Sequence, residues 1–161
     1  MRLFRRLGQK GKALDKALFD AIEQRDEAAV IAALAAGADS NARAELLGDQ
    51  DVTPLMMAAW ECVPAIASRL LQAGAEIDAD NAGGTALHRA AWRGDLKMIG
   101  LLVTNGASLQ SKDKIGQRPR DYALRAFGDF TPNPALSLLV WLEGSGLKPE
   151  QYPFYPDRSS R

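Results

Sequence analysis

Residues 85–106 read TALHRAAWRGDLKMIGLLVTNG, and a closely related stretch, TPLMMAAWECVPAIASRLLQAG, occupies residues 53–74. The two stretches begin 32 residues apart, and their closing glycines are separated by the same interval. Each stretch contains two short helical patterns that a turn connects and a glycine ends. A period of this length indicates a repeat protein, in which every short helix pair buries its apolar side against the next pair.

Looser copies of the pattern lie on both sides of these two stretches. In the first copy, an apolar stripe predicts a helix from Ala13, Asp26 is placed to cap the following helix, and Gly37 ends it. The fourth copy begins at Arg118 and ends at Gly144. We therefore expect about four helix pairs.

Two segments interrupt the regular pattern. Residues 39–52 form a polar connector that is longer than those at residues 75–84 and 107–117, and we expect it on the surface, where insertions are tolerated. In the fourth copy, prolines exclude one continuous helix, and Asn133 and Pro134 are placed as the cap and first residue of a new helix.

The openings TPLMMAA at residues 53–59 and TALHRAA at residues 85–91 resemble the T-P-L-H-x-A opening of ankyrin repeats. LLQAGAEIDA and LLVTNGASLQ are similar to the second helix and extended finger of that family. The resemblance covers about residues 13–146, and it divides them into repeats at approximately 13–52, 53–84, 85–117 and 118–146. It implies an all-α fold, an ankyrin-repeat α-solenoid of about four helix-turn-helix repeats with extended finger loops.

Some positions keep the family pattern and others depart from it. The resemblance implies that His88 forms local hydrogen bonds that lock the turn before its helix, and that Trp141 fills a core position. Arg25 and Cys62 stand at turn positions where the third repeat has Gly94. A left-handed backbone is therefore in doubt, or strained, at both.

Charge is distributed unevenly along the chain, although its 20 basic and 20 acidic side chains cancel. Residues 1–12 contain five basic residues and no acid, residues 13–80 contain four basic and 13 acidic residues, and residues 81–161 contain 11 and seven. Such asymmetry favours charge-guided docking to a protein. Without one dominant basic face, nucleic-acid binding is disfavoured.

Both ends of the chain leave two interpretations open. Residues 1–12 are a basic N-terminal leader, for which a solvated segment is favoured over an anchor to an anionic membrane surface. Residues 147–161 are a proline- and aromatic-rich C-terminal tail, in which a strap over the last repeat is favoured over a partner-binding segment. The tail contains Pro149, Pro153 and Pro156, which exclude a helix, and the aromatic residues Tyr152, Phe154 and Tyr155.

The sequence contains no arrangement of residues that is typical of an enzyme. His88 and Cys62 are the only histidine and cysteine, they belong to different repeats, and neither offers a metal cluster. We expect no catalytic residues, no cofactor and no metal. A single cysteine, with neither a secretory signal nor an apolar run of membrane-spanning length, favours a cytoplasmic location.

The resemblance implies that a protein partner binds the concave face of the solenoid. The candidate partner-binding residues flank the Ala-Ala step in the first helix of each repeat, and interface centres are rich in tryptophan, tyrosine and arginine. They are Met57, Trp60 and Glu61 in the second repeat, Arg89, Trp92 and Arg93 in the third, and Tyr122 and Arg125 in the fourth.

These observations favour a non-enzymatic protein–protein interaction module that is a monomer when free. A short chain of one domain, with no effector domain, suggests an inhibitor or immunity-type protein that blocks an enzyme or toxin. The alternative is a peripheral membrane adaptor that uses the basic N-terminal segment. The sequence does not name the partner.

Overall fold

A computed structural model of the protein describes residues 11–46, 48–127, 133–146 and 149–151. Within these ranges the chain forms four successive pairs of helices and one short hairpin. The helices are α1 Gly11–Glu23, α2 Glu27–Ala35, α3 Pro54–Trp60, α4 Pro64–Gln72, α5 Ala86–Arg93, α6 Leu96–Thr104, α7 Pro119–Phe127 and α8 Pro134–Ser145. The hairpin strands are β1 Ala44–Leu46 and β2 Asp49–Val52.

The helices form two layers. The odd-numbered helices α1, α3, α5 and α7 pack side by side in chain order, and the even-numbered helices α2, α4, α6 and α8 do the same behind them. Paired alanines at 58–59 and 90–91 are completely buried, so that neighbouring odd helices approach closely. Larger side chains, among them Leu70, Ile99 and Leu102, fill the space between the layers.

Side chains satisfy the free backbone amides at the start of three even-numbered helices. Asp26, Asp95 and Asn133 each accept a hydrogen bond from the amide three residues later, at 3.0, 3.1 and 3.0 Å. These caps confirm the helix starts predicted at Asp26 and Asn133. They allow helices of about nine residues to begin at defined points even though such helices are marginal in isolation.

The turns within the first three helix pairs all use a left-handed backbone. The φ angles are 56° at Arg25, 57° at Cys62 and 71° at Gly94. The doubt that the two non-glycine residues raised is therefore resolved in favour of the repeat geometry. A left-handed conformation costs a non-glycine residue about 1–2 kcal/mol, and packing between repeats maintains it here.

The long connector between the first and second helix pairs is structured. It was predicted as a polar excursion, whereas β1 and β2 form an antiparallel hairpin in which Ala44 lies opposite Val52. Both of these residues are buried. The hairpin thus has an apolar side that packs on the helices and a polar side that faces outward.

The carboxyl-terminal end differs from the prediction in two respects. Helix α8 continues through Gly144 to Ser145, and Gly146, at φ 63°, ends it in the left-handed conformation. Residues Pro149–Gln151 form one turn of 3-10 helix that packs against α6, so Pro149 does not exclude helical structure there. A proline is compatible with the first position of a helical turn, where no amide donor is needed.

Parts of both terminal segments lie outside the described residues. These are residues 1–10 of the basic leader and most of the tail, including Tyr152, Phe154 and Tyr155. Helix α1 already contains Gly11 and Lys12, two residues before the predicted start. None of the helices in the described ranges is both long enough and apolar enough to cross a membrane.

Candidate functional site

The first helices of the second and third repeats are joined at the surface by a cation–π contact. The guanidinium carbon of Arg93 lies 5.5 Å from the centroid of the Trp60 ring. Arg93 Nε also donates a hydrogen bond to Sγ of Cys62, 3.4 Å away. This hydrogen bond raises the pKa of Arg93, which is charged at physiological pH. Two contacts from the preceding repeat therefore fix the position of an exposed arginine.

The third and fourth repeats are joined by a contact between aromatic rings. Trp92 meets Tyr122 edge-on, with ring centroids 6.2 Å apart and an interplanar angle of 75°. Trp92 remains 37% exposed. Arg125 lies one helical turn after Tyr122, and its guanidinium donates to Oε1 of Gln117 at 2.6 Å. The side chains of Trp92 and Arg125 are therefore held in place by their neighbours and remain accessible to solvent.

The five residues Trp60, Glu61, Trp92, Arg93 and Arg125 define what we call the odd-helix face. They come from α3, α5 and α7, or from the residue directly after α3. Glu61 is paired with Arg25 of the first repeat at 3.1 Å. The odd-helix face thus extends across the contacts between successive repeats.

Arg89 and Tyr122 support this face from beneath. The Arg89 side chain is 13% exposed and forms an ion pair with Asp49 of the hairpin at 2.5 Å, and it also donates to Oδ1 of Asn81 at 3.2 Å. The Asn81 amide donates in turn to the carbonyl of Gln50 at 2.9 Å. Arg89 therefore ties the hairpin to the third repeat.

The Tyr122 hydroxyl fixes the next connector. It lies 2.8 Å from Oδ2 of Asp113 and 3.2 Å from the carbonyl of Gly83. Burial, and then the hydrogen bond to Asp113, raise the pKa of Tyr122 to about 12. Burial raises the pKa of Asp113, but the hydrogen bonds from Gln117, Tyr122 and Ile115 outweigh it and leave that pKa below its usual value.

Met57 is not a surface residue. It was predicted with the partner-binding set, but it is 3% exposed and packs in the core. Met57 stands at the same repeat position as Arg89 and Tyr122, whose side chains bind the connectors. Sequence reasoning also missed Asp49 and Asn81, because no motif indicated that a distant loop would meet Arg89.

His88 has the structural role that the family resemblance implied. It is fully buried, and its Nδ1 accepts a hydrogen bond from the Thr85 amide at 3.0 Å. Its Nε2 lies 3.0 Å from the Gln117 carbonyl, which can only accept, so Nε2 carries the proton. Burial lowers the pKa of His88 and keeps the ring neutral. Both ring nitrogens are therefore occupied by the backbone of adjacent loops.

Within the described residues, Cys62 and His88 do not form a pair of nucleophile and base. Cys62 lies beside Arg93 and donates to the Trp60 carbonyl at 3.8 Å, whereas His88 is buried among other partners. In the described ranges, histidine, cysteine and acidic side chains form no group of three that could hold a metal ion. What the surface offers is exposed aromatic area beside positive charge.

Comparison with known proteins agrees with this architecture. A family model described as ankyrin repeats, in three copies, matches residues 18–113. A search of the curated proteins finds no match to the chain.

Proposed function

Because the chain belongs to the ankyrin-repeat family, whose members generally mediate protein–protein interactions, we propose that it holds a protein partner on the odd-helix face. In a stack of ankyrin repeats this face lies on the concave side, which is the usual binding surface of a solenoid.

The observation that carries the proposal is the continuity of the odd-helix face across three repeats. Arg93 covers Trp60 at 5.5 Å, Trp92 meets Tyr122 at 6.2 Å, and Arg125 follows one turn later. Aromatic and arginine side chains supply most of the binding energy in many interface centres. We assign direct contact with the partner to the five residues of this face.

The remaining candidate residues serve the face indirectly. Arg89 and Tyr122 hold the connectors against the helices, while Met57 contributes to the core. We propose that the chain is not an enzyme, which the occupied nitrogens of His88 and the separate location of Cys62 support. The single cysteine suits a reducing compartment, and we place the complex of a monomer with its partner in the cytoplasm.

The experiment first captures a partner on the immobilised protein, identifies it by mass spectrometry and then titrates the purified partner by calorimetry. Combined substitution of Trp60→Ala and Trp92→Ala should weaken the affinity at least tenfold, equivalent to about 1.4 kcal/mol of binding free energy. The matched control combines Ile31→Ala with Val140→Ala. Both residues are apolar and exposed, and both lie on even-numbered helices. An unchanged affinity in the tryptophan variant would show that the partner binds elsewhere.

One specific form of this function is inhibition. If the captured partner is an enzyme or toxin, its activity should fall as the odd-helix face is occupied, and the tryptophan variant should fail to inhibit it. Full partner activity in a saturated complex would leave binding in place and remove the inhibitor or immunity-type role.

A second candidate function, a peripheral membrane adaptor, is favoured by the five basic residues among residues 1–12. The full chain should then sediment with vesicles that contain phosphatidylserine, whereas a chain that starts at Ala13 should stay in the supernatant. Equal sedimentation of the two chains, or of neither, would remove the N-terminal segment from the function.

A further inference from the structure

Arginines in the described residues divide into two groups by the partner that each one has. Arg25, Arg69, Arg89 and Arg120 form ion pairs with carboxylates at 3.1, 2.8, 2.5 and 2.8 Å. Arg43 donates to the backbone carbonyl of Asp80, and Arg93, Arg118 and Arg125 donate to neutral side-chain acceptors, the Sγ of Cys62 and the Oε1 atoms of Gln110 and Gln117. The three arginines with side-chain acceptors come from the third and fourth repeats.

The carboxylates near Arg93 are engaged with other groups. Glu61 forms its ion pair with Arg25, and Asp95 accepts the hydrogen bond that caps α6. The Cys62 and Gln117 acceptors orient the guanidiniums of Arg93 and Arg125 without neutralising them. Both guanidiniums are therefore oriented without forming an ion pair, although Glu61 and Asp95 attract Arg93 from beyond ion-pair distance, and both can donate to an incoming carboxylate.

Exposed aromatic surface adjoins both charged residues. Trp92 directly precedes Arg93 in α5, is 37% exposed, and faces Tyr122 of the helix that carries Arg125. A ligand that contacts both arginines would therefore lie across Trp92. It would need acidic groups at its ends or along its length and an apolar or aromatic group between them.

The charge of the adjoining repeats restricts the size of the ligand. Residues 13–80 carry 13 acidic and four basic side chains, whereas residues 81–127 carry eight basic and three acidic ones. A long polyanion or an anionic membrane would extend from the basic region over the acidic one and be repelled there. A short acidic segment that stays over the third and fourth repeats meets only the favourable region.

We propose that the odd-helix face binds a short acidic segment of its protein partner, with carboxylates on Arg93 and Arg125 and an apolar side chain on Trp92. This inference rests on the proposed function, since it specifies which kind of partner occupies the same face. Arginine presents two parallel N–H donors to a carboxylate, so each pair adds orientation as well as attraction.

The test selects random short peptides displayed on phage against the folded wild-type chain and measures their affinities by calorimetry. The selected peptides should be enriched in aspartate and glutamate, and Arg93→Gln with Arg125→Gln should weaken their binding about tenfold or more. The matched control is Arg69→Gln with Lys97→Gln, which removes the same charge from exposed positions on α4 and α6. The control variant should bind as the wild type does.

The outcomes separate this inference from the function on which it rests. In one outcome, the selected peptides lack acidic enrichment and lose affinity only for the Trp60→Ala, Trp92→Ala variant. That result would overturn the proposal that the bound segment is acidic, while the odd-helix face would keep its role in binding. Peptides that bind both variants as tightly as the wild type would overturn both proposals. Recovery of no peptide, or arginine-dependent binding of phosphatidylserine vesicles, would overturn the acidic protein segment as the occupant.

Discussion

The imidazole of His88 serves the fold only in its neutral form. Its Nδ1 must accept from the Thr85 amide while Nε2–H donates to the Gln117 carbonyl, which joins the start of α5 to the next connector. Protonation would turn Nδ1 into a donor that faces another donor. Burial of the ring penalises the charged form, so the pKa of His88 is lowered and the folded state binds a proton less readily than the unfolded chain.

This difference predicts how stability changes with pH. The contribution of His88 is fully present above the unfolded pKa of 6.5 and is lost as pH falls below that value. We expect the free energy of unfolding in urea to be lower at about pH 5.5 than at about pH 7.5. His88→Gln, which cannot titrate, should remove most of that decrease, since the chain has no other histidine. An equally steep decrease in the variant would assign the effect to carboxylates.

Residue-level predictions from the sequence succeeded where the repeat register alone determines the environment. Asp26 and Asn133 could be identified as caps because their chemistry acts within three residues of the chain. Met57 could not be placed, since its burial depends on how the helices pack in three dimensions. The same limit applies to Asp49, whose ion pair with Arg89 joins residues 40 positions apart.

Among the elements, the hairpin β1–β2 departs furthest from the expected pattern. It occupies a connector that the sequence suggested only as a polar insertion, and it is anchored at two levels. Buried Ala44 and Val52 pack on the helices, and Asp49 pairs with the largely buried guanidinium of Arg89. Strand pairing over such short lengths is marginal on its own, so these contacts decide whether the hairpin forms.

Asp49→Asn should therefore loosen the hairpin. The substitution removes the negative charge opposite Arg89, which leaves a largely buried cation without its carboxylate, and it should cost about 1–3 kcal/mol of unfolding free energy. Hydrogen exchange of the amides in residues 44–52 should accelerate more than that of α5. Asp51→Asn, an exposed change of the same charge in the same strand, is the control and should leave both measurements almost unchanged.

The turns show a related pattern at the level of elements. Arg25 and Cys62 occupy equivalent turns, and each forms a hydrogen bond with the end of the first helix of the next repeat. Arg25 binds Glu61, the residue after α3, and Cys62 binds Arg93, the last residue of α5. A glycine would relieve the left-handed backbone at both turns but would lose these contacts. The sequence identified the two departures from glycine but could not show the contacts that compensate for them.

Across the whole molecule, contacts run mainly between neighbouring repeats. Helices α3 and α5 have an odd-numbered helix on each side, whereas α7 has one only on the side of α5 among the described residues. In such a linear stack, stability is approximately a sum of terms for each repeat and for each interface with its neighbour. The ends should therefore open before the middle.

Native-state hydrogen exchange tests this gradient. Amides of α7 and α8 should exchange faster than those of α3 and α5, because fewer interfaces must break to expose them. Mass spectrometry of peptides that cover each helix provides the measurement at constant pH and temperature. Equal protection from α1 to α8 would mean that the repeats open together as one cooperative unit.

The restricted side chain of Arg93 has a consequence for the entropy of binding. Free surface arginines sample many rotamers, and ordering one on binding costs about 0.5–1.5 kcal/mol. Cys62 and the Trp60 ring already restrict Arg93, so much of that loss occurs during folding and not during encounter. A ligand of the kind proposed would therefore lose little entropy in ordering Arg93, and changes at Cys62 should alter its binding entropy without any contact between Cys62 and the ligand.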